Sequence, residues 1–141
     1  MPIAHMEIVL KIMYPNLKVT LVDATEKKCN FLKMVIDKLN LKNIEVINAR
    51  AEDYSKNNRE LYDIVTSRAV APLKHLLEYS IPLVKVNGTY IAMKSDLTKE
   101  LEKIENYEHK LNIYFFVLLI KHLSLFLLVI MLLILKFYLL L

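Results

Sequence analysis

Apolar positions along the first hundred residues change period several times, and each change marks a new element. From Ala4 to Met13, the apolar residues Met6, Val9, Leu10 and Met13 recur at three- and four-residue steps, which predicts a short helix ending at the Tyr14-Pro15-Asn16 turn. Lys18 to Val22 is a run of β-forming residues closed by Asp23 and reads as a buried strand. Asp23 and Glu26 stand three apart before the next periodic stretch, a spacing similar to a capping box, so a helix is expected to begin near Thr25. Cys29, Leu32, Val35, Ile36 and Leu39 would form its inward stripe. A second strand is expected over Ile44 to Ile47, a polar loop over Asn48 to Asp53, and a third strand over Tyr62 to Thr66.

Pro72 suits the opening of a helix that runs toward Ile81, because the N–H it lacks would go unused there. Pro82 to Gly88 reads as an exit loop whose Asn87-Gly88 pair supplies a positive φ. A fourth strand fits Thr89 to Met93, and Asp96 is placed to cap an amphipathic helix from Leu97 to about His109. Strands alternating with helices imply an α/β fold with a parallel sheet and helices on both its faces.

Composition divides the chain in two. Hydrophobic residues make up 55% of the 141, and the excess is piled into Ile113 to Leu141. Residues 1–112 therefore read as one domain and 113–141 as an apolar tail. At about 1.5 Å per residue a helical tail is long enough for a hydrocarbon layer of roughly 30 Å. Lys121 and His122 divide it, however, and its narrow Leu, Ile, Phe, Val, Tyr, Met and Lys vocabulary is also what out-of-frame reading of AT-rich DNA gives. A membrane helix and an out-of-frame segment both stay open.

Charge adds little direction. Lys121 and Lys136 carry two of the 19 basic residues, which leaves 17 against 15 acids before the tail, a net of only +2. Lys27, Lys28, Lys33, Lys38 and Lys42 are spread along one expected helix and its exit, and a solvated helix face is the simpler account of them than an RNA footprint. The single cysteine, Cys29, excludes an internal disulfide and a cysteine-rich zinc site, and reads as a core residue. His5, His75, His109 and His122 lack metal-ligand spacing, so neither a metal site nor a catalytic role is assigned to them. The N-terminus shows no secretory pattern, and the body reads as cytoplasmic, with membrane association through the tail as the alternative.

In an open α/β sheet, ligands bind beyond the carboxyl ends of the strands, so the residues just after each strand are the ones to inspect. Asp23 ends the first strand and suits the two hydroxyls of a cofactor ribose, or else simply caps the helix. Ala51-Glu52-Asp53 follows the second strand, where a small residue and an acid can frame an adenine and its amine. Ser67-Arg68 follows the third; Arg68 either grips a carboxylate or phosphate or pairs with a surface acid.

The stretch YPNLKVTLVDATEKKCNFLKMVIDKLNLKNIEVINARAEDY, followed by YDIVTSRAVAPLKHLLEYSIPLVKVNGTYIAMK, resembles the bacterial 16S ribosomal RNA guanine N7 methyltransferases, also called the glucose-inhibited division protein B family. The resemblance runs from about Leu10 to Lys94, and RAED and TSRAVAPL are its specific parts. It implies a Rossmann-like methyltransferase that uses S-adenosylmethionine to methylate a guanine of 16S rRNA in the small ribosomal subunit, working as a monomer. On matching positions Asp23 would contact the ribose, Ala51 and Glu52 the adenine end, and Arg68 the cofactor or base pocket.

Two departures from the family pattern matter. Family members open with a strand and a Gly-rich turn similar to GxGAGFPGIPL; here MPIAHMEIVL stands in that place, and Gly88 is the only glycine in the chain. The missing glycines let the backbone approach the methionine part of the cofactor, so cofactor affinity is expected to suffer and activity with it. The missing strand would lie between those ending at Asp23 and Thr66, so an incomplete sheet and a truncated or frame-disrupted copy are expected. Two other classes compete: a membrane-anchored, non-catalytic binding module, and a nucleotide-binding dehydrogenase, the latter disfavoured because no GxGxxG turn is present.

Overall fold

The computed structural model describes residues 6–68 and 72–93, and the expected helix at Leu97–His109 and the apolar tail lie outside them. Described residues up to Ala49 form one compact unit and those from Arg50 onward a second. In the first unit the order is α1 (Met6–Met13), β1 (Val19–Asp23), α2 (Glu26–Lys38) and β2 (Ile44–Asn48). The two strands pair in parallel from Val19↔Ile44 to Asp23↔Asn48. Ile8 of α1, Leu21 of β1, and Leu32 and Ile36 of α2 form the core, with Val19, Val35, Leu41, Ile44 and Val46 packed around them. Each large aliphatic side chain fully removed from water here contributes about 1.5–3 kcal/mol.

The helix stripe is as expected at Cys29, Leu32 and Ile36, which are buried, and at Val35, which is half-buried. Leu39 departs from it: it is the C-cap and is 49% exposed. Asn40 follows in the left-handed region at φ 50°, its N–H donates to Asp37 O, and the Leu41 N–H donates back to Ile36 O. That paired arrangement is a Schellman stop, and it turns Leu41 rather than Leu39 onto the core. At the other end the capping box is replaced by a tighter local turn. Thr25 is the N-cap without a side-chain cap bond, and its N–H donates to Asp23 Oδ1 at 2.7 Å.

Lys11 was not legible as a core residue, yet it is one of the most buried side chains of this unit. Its ammonium donates to Pro15 O, at 2.6 Å, and to Leu17 O, satisfying carbonyls that the turn after α1 leaves without helical partners.

The second unit holds α3 (Ala51–Asn57), β3 (Tyr62–Arg68), α4 (Leu73–Ser80), a 3₁₀ turn (Ile81–Leu83) and β4 (Val84–Met93). Strand β3 pairs with β4, again in parallel. Leu73, Leu76 and Leu77 of α4 pack on Tyr90 and Ala92 of β4, with Val65, Tyr79, Ile81 and Val84 around them. Pro72 stands at the N-cap, one residue before its expected helical place, with the extended ψ of 141°.

Two loop expectations are corrected. The polar run from Asn48 is not a loop through Asp53: Asn48 closes β2 and residues from Ala51 form α3. Periodicity is silent there because the helix is polar, but its charges suit its dipole, with Glu52 and Asp53 in the first turn and Lys56 in the last. Ser55 is buried and donates to Glu52 O at 3.0 Å, and Asn58 donates to Tyr54 O at 2.8 Å, closing the helix end. The expected exit loop at Pro82–Gly88 instead begins β4 at Val84, with an irregularity before the register resumes at Ile64↔Thr89.

Asn87, at φ 65°, supplies the positive φ of that irregularity, whereas Gly88 does not have one. Glycine is needed at 88 for space: a β-carbon there would stand 2.6 Å from Val84 Cγ1 and 2.9 Å from both Asp63 O and Lys85 O. Among the described residues, β1 pairs only with β2 and β3 only with β4, so each unit holds a two-stranded piece of parallel sheet.

Candidate functional site

The tip of β1 carries Asp23, whose side chain keeps 21% of its surface accessible. Its Oδ1 accepts the Thr25 N–H, and its Oδ2 lies 3.5 Å from the Lys28 ammonium. Partial burial pulls the carboxyl pKa upward, but the Thr25 N–H and hydroxyl and the Lys28 charge outweigh it, holding the group below its ordinary value. The carboxylate is therefore ionised at neutral pH and half-open to solvent. Both oxygens retain acceptor capacity beyond the partners just named, which is what a diol needs.

The Asp23 carbonyl is engaged on the sheet side. It accepts the Ala49 N–H at 3.2 Å, Asn48 Nδ2–H at 3.0 Å and the Cys29 thiol at 3.3 Å. Cys29 is buried, as expected of a core thiol. Asn48 was missed in the sequence; the signal was available, since a polar residue ending β2 in register with Asp23 has its side chain at the strand mouth.

In the second unit, Ala51 and Glu52 share the first turn of α3, Ala51 half-buried and Glu52 exposed. Asp53, beside them, is paired with Lys56 at 2.8 Å on a fully solvated face, so the pair adds little stability. Arg68 is the last residue of β3, in register with Met93, and its side chain lies outside the described residues. Just before it, Ser67 Oγ meets the Tyr90 hydroxyl at 2.5 Å. Burial raises the Tyr90 pKa, partly offset by hydrogen bonds to Ser67 and Ser80, so the phenol stays neutral beside the end of β3. The structure thus brings Ala51 and Glu52 together on one turn, extends β3 past the expected Thr66 so that Arg68 is its last residue rather than following it, and gives Asp23 its own hydrogen-bonded surroundings.

A family model described as rRNA small subunit methyltransferase G matches residues 7–124. The chain belongs to the rRNA small subunit methyltransferase G family. The match extends beyond residue 112, into the first part of the apolar tail. A family protein of Mycoplasma capricolum is 46% identical over 107 residues, covering 75% of this chain and 46% of that protein. One from Thermoanaerobacter sp. X514 is 49% identical over 105 residues, 72% of this chain and 42% of that protein. One from Acetivibrio thermocellus is 50% identical over 95 residues, 66% of this chain and 39% of that protein. All three are named ribosomal RNA small subunit methyltransferase G, and the chain spans less than half the length of each.

The remaining chemistry of this family member is sparse. Among the described residues no three His, Cys, Asp or Glu side chains are grouped as a metal site requires. His75 meets Glu78 at 3.2 Å on the solvent side of α4. No described helix is long and apolar enough to cross a membrane, and the tail on which that expectation fell lies outside the described residues.

Proposed function

We propose that this chain binds S-adenosylmethionine at its strand tips and serves methyl transfer to N7 of a guanine in 16S rRNA, with the small ribosomal subunit as its cytoplasmic partner. Membership of the rRNA small subunit methyltransferase G family supports the reaction class. The observation that carries the cofactor reading is the ionised, accessible carboxylate of Asp23 at the carboxyl end of a parallel strand, where such folds bind nucleosides.

S-adenosylmethionine, when bound, supplies a methyl group activated on a sulfonium. On the family pattern Asp23 would accept hydrogen bonds from the two ribose hydroxyls. Ala51 is small enough to leave room for the adenine ring, and Glu52 would accept from its exocyclic amine. Arg68 would serve the cofactor or the base. N7 of guanine carries a free lone pair and no proton, so no side chain needs to act as a general base. What the protein contributes is alignment of donor and acceptor, the largest available source of acceleration for a reaction of this kind.

Equilibrium dialysis with radiolabelled S-adenosylmethionine tests this. Saturable binding that disappears in Asp23→Asn is expected. Binding that is equal in Asp23→Asn and the unvaried chain, or no binding up to millimolar ligand, overturns it.

A further inference from the structure

The Asp23 carbonyl has more donors than a parallel ladder provides. Pairing of β1 with β2 accounts for the Ala49 N–H, 3.2 Å away. Two side chains add to it: Asn48 Nδ2–H at 3.0 Å and Cys29 Sγ–H at 3.3 Å. The same Asn48 amide lies 3.5 Å from Cys29 Sγ, and Cys29 is 1% exposed on the inward face of the first turn of α2. One carbonyl oxygen thus ties together the ends of both strands and the start of the helix. A carbonyl offers two lone pairs, so three donors hold its peptide plane closely.

That plane and the Asp23 carboxylate leave the same Cα. The carboxylate itself is held on the other side by the Thr25 N–H at 2.7 Å. Rotation of the 23–24 peptide would carry Thr25 N away from Oδ1 and re-aim the carboxylate. We propose that Asn48 is a positioning residue, which fixes the Asp23 carboxylate for a ribose diol by anchoring the Asp23 main-chain carbonyl. This rests on the cofactor reading given above. Asn48 is exposed at the sheet edge and lies outside both hydrophobic clusters, so replacing it leaves the core of the unit intact.

The test uses the full chain with Asn48→Ala and, as the donor-keeping control, Asn48→Gln. Two readouts are needed: hydrogen exchange of the Thr25 amide, which reports the Asp23 geometry without any ligand, and the dissociation constant for S-adenosylmethionine. In Asn48→Ala the Thr25 amide is expected to exchange about five-fold faster and affinity to fall by about five-fold, the effect of one neutral hydrogen bond. Asn48→Gln is expected to recover most of both, and the urea midpoint to move little in either. A Thr25 amide that exchanges at the unvaried rate in Asn48→Ala overturns the anchoring. If exchange quickens but Asp23→Asn binds the cofactor as well as the unvaried chain, the ribose role of Asp23 is wrong and the proposal falls through that premise.

Discussion

Replacing Lys11 by methionine separates two opposed effects inside one side chain. The substitution keeps an unbranched stem of similar length, so packing of α1 against β1 is retained, and it removes a buried ammonium, whose desolvation opposes folding. Against that, Pro15 O and Leu17 O both lose their donor. Each hydrogen bond from a charged donor contributes about 1.5–3 kcal/mol, and water recovers part of it because Pro15 is exposed and Leu17 half-buried. With two such bonds lost against the relieved desolvation, a net destabilisation of roughly 1–3 kcal/mol is expected. Urea unfolding followed by far-UV circular dichroism measures it, with Lys33→Met on the exposed side of α2 as the control, expected to change stability by less than about 0.5 kcal/mol. If Lys11→Met and Lys33→Met unfold at the same midpoint with the same slope, the lysine does not secure the turn and the reasoning fails.

Gly88→Ala is expected to cost about 1–3 kcal/mol in thermal unfolding, because its β-carbon meets two main-chain oxygens that cannot retreat. Adding Val84→Ala relieves only the side-chain clash, so a double variant as stable as Val84→Ala alone would contradict this. Tyr90→Phe strips the hydroxyl that bonds Ser67 and is expected to cost about 1–3 kcal/mol. Because the Tyr90 pKa is raised above 10.0, its contribution is complete below that pH and is lost as pH rises through the folded value; the phenylalanine variant should lack that part of the alkaline decline. Asp23 has the opposite sign: its lowered pKa gives stability that is present above 3.8 and lost as pH falls through the folded value. Asp23→Asn should therefore flatten the acid limb of the urea midpoint, slightly, since the group is part-exposed.

How far the sequence reached depended on which interactions were local. Strand β1, helix α2 and strand β2 were legible because each carries its own period and its own stop, and the error at Leu39 arose because Asn40 ends the helix by its backbone conformation rather than by a change in apolar period. Helix α3 was invisible to periodicity, since its stability comes from end charges and from Ser55 and Asn58 bonding back to the backbone. The positive φ expected of the Asn87-Gly88 pair is present at Asn87; what the sequence did not show is that Gly88 is there for close approach. At the site, Asp23 was predictable from its place after a strand. Asn48 could have been read in the same way. Tyr90 was not legible, because the serine its phenol meets lies on another strand far away in the chain, and the burial of Lys11 is set by the turn just after its own helix, which no apolar period reports.

Amide mapping by ¹H–¹⁵N correlation spectra during titration with S-adenosylmethionine tests the central claim most directly. The account predicts that signals of Asp23, Ala24 and Thr25 shift together with those of Asn48 and Ala49, along one saturating curve. Shifts that avoid those positions, or that persist unchanged in Asp23→Asn, would contradict it.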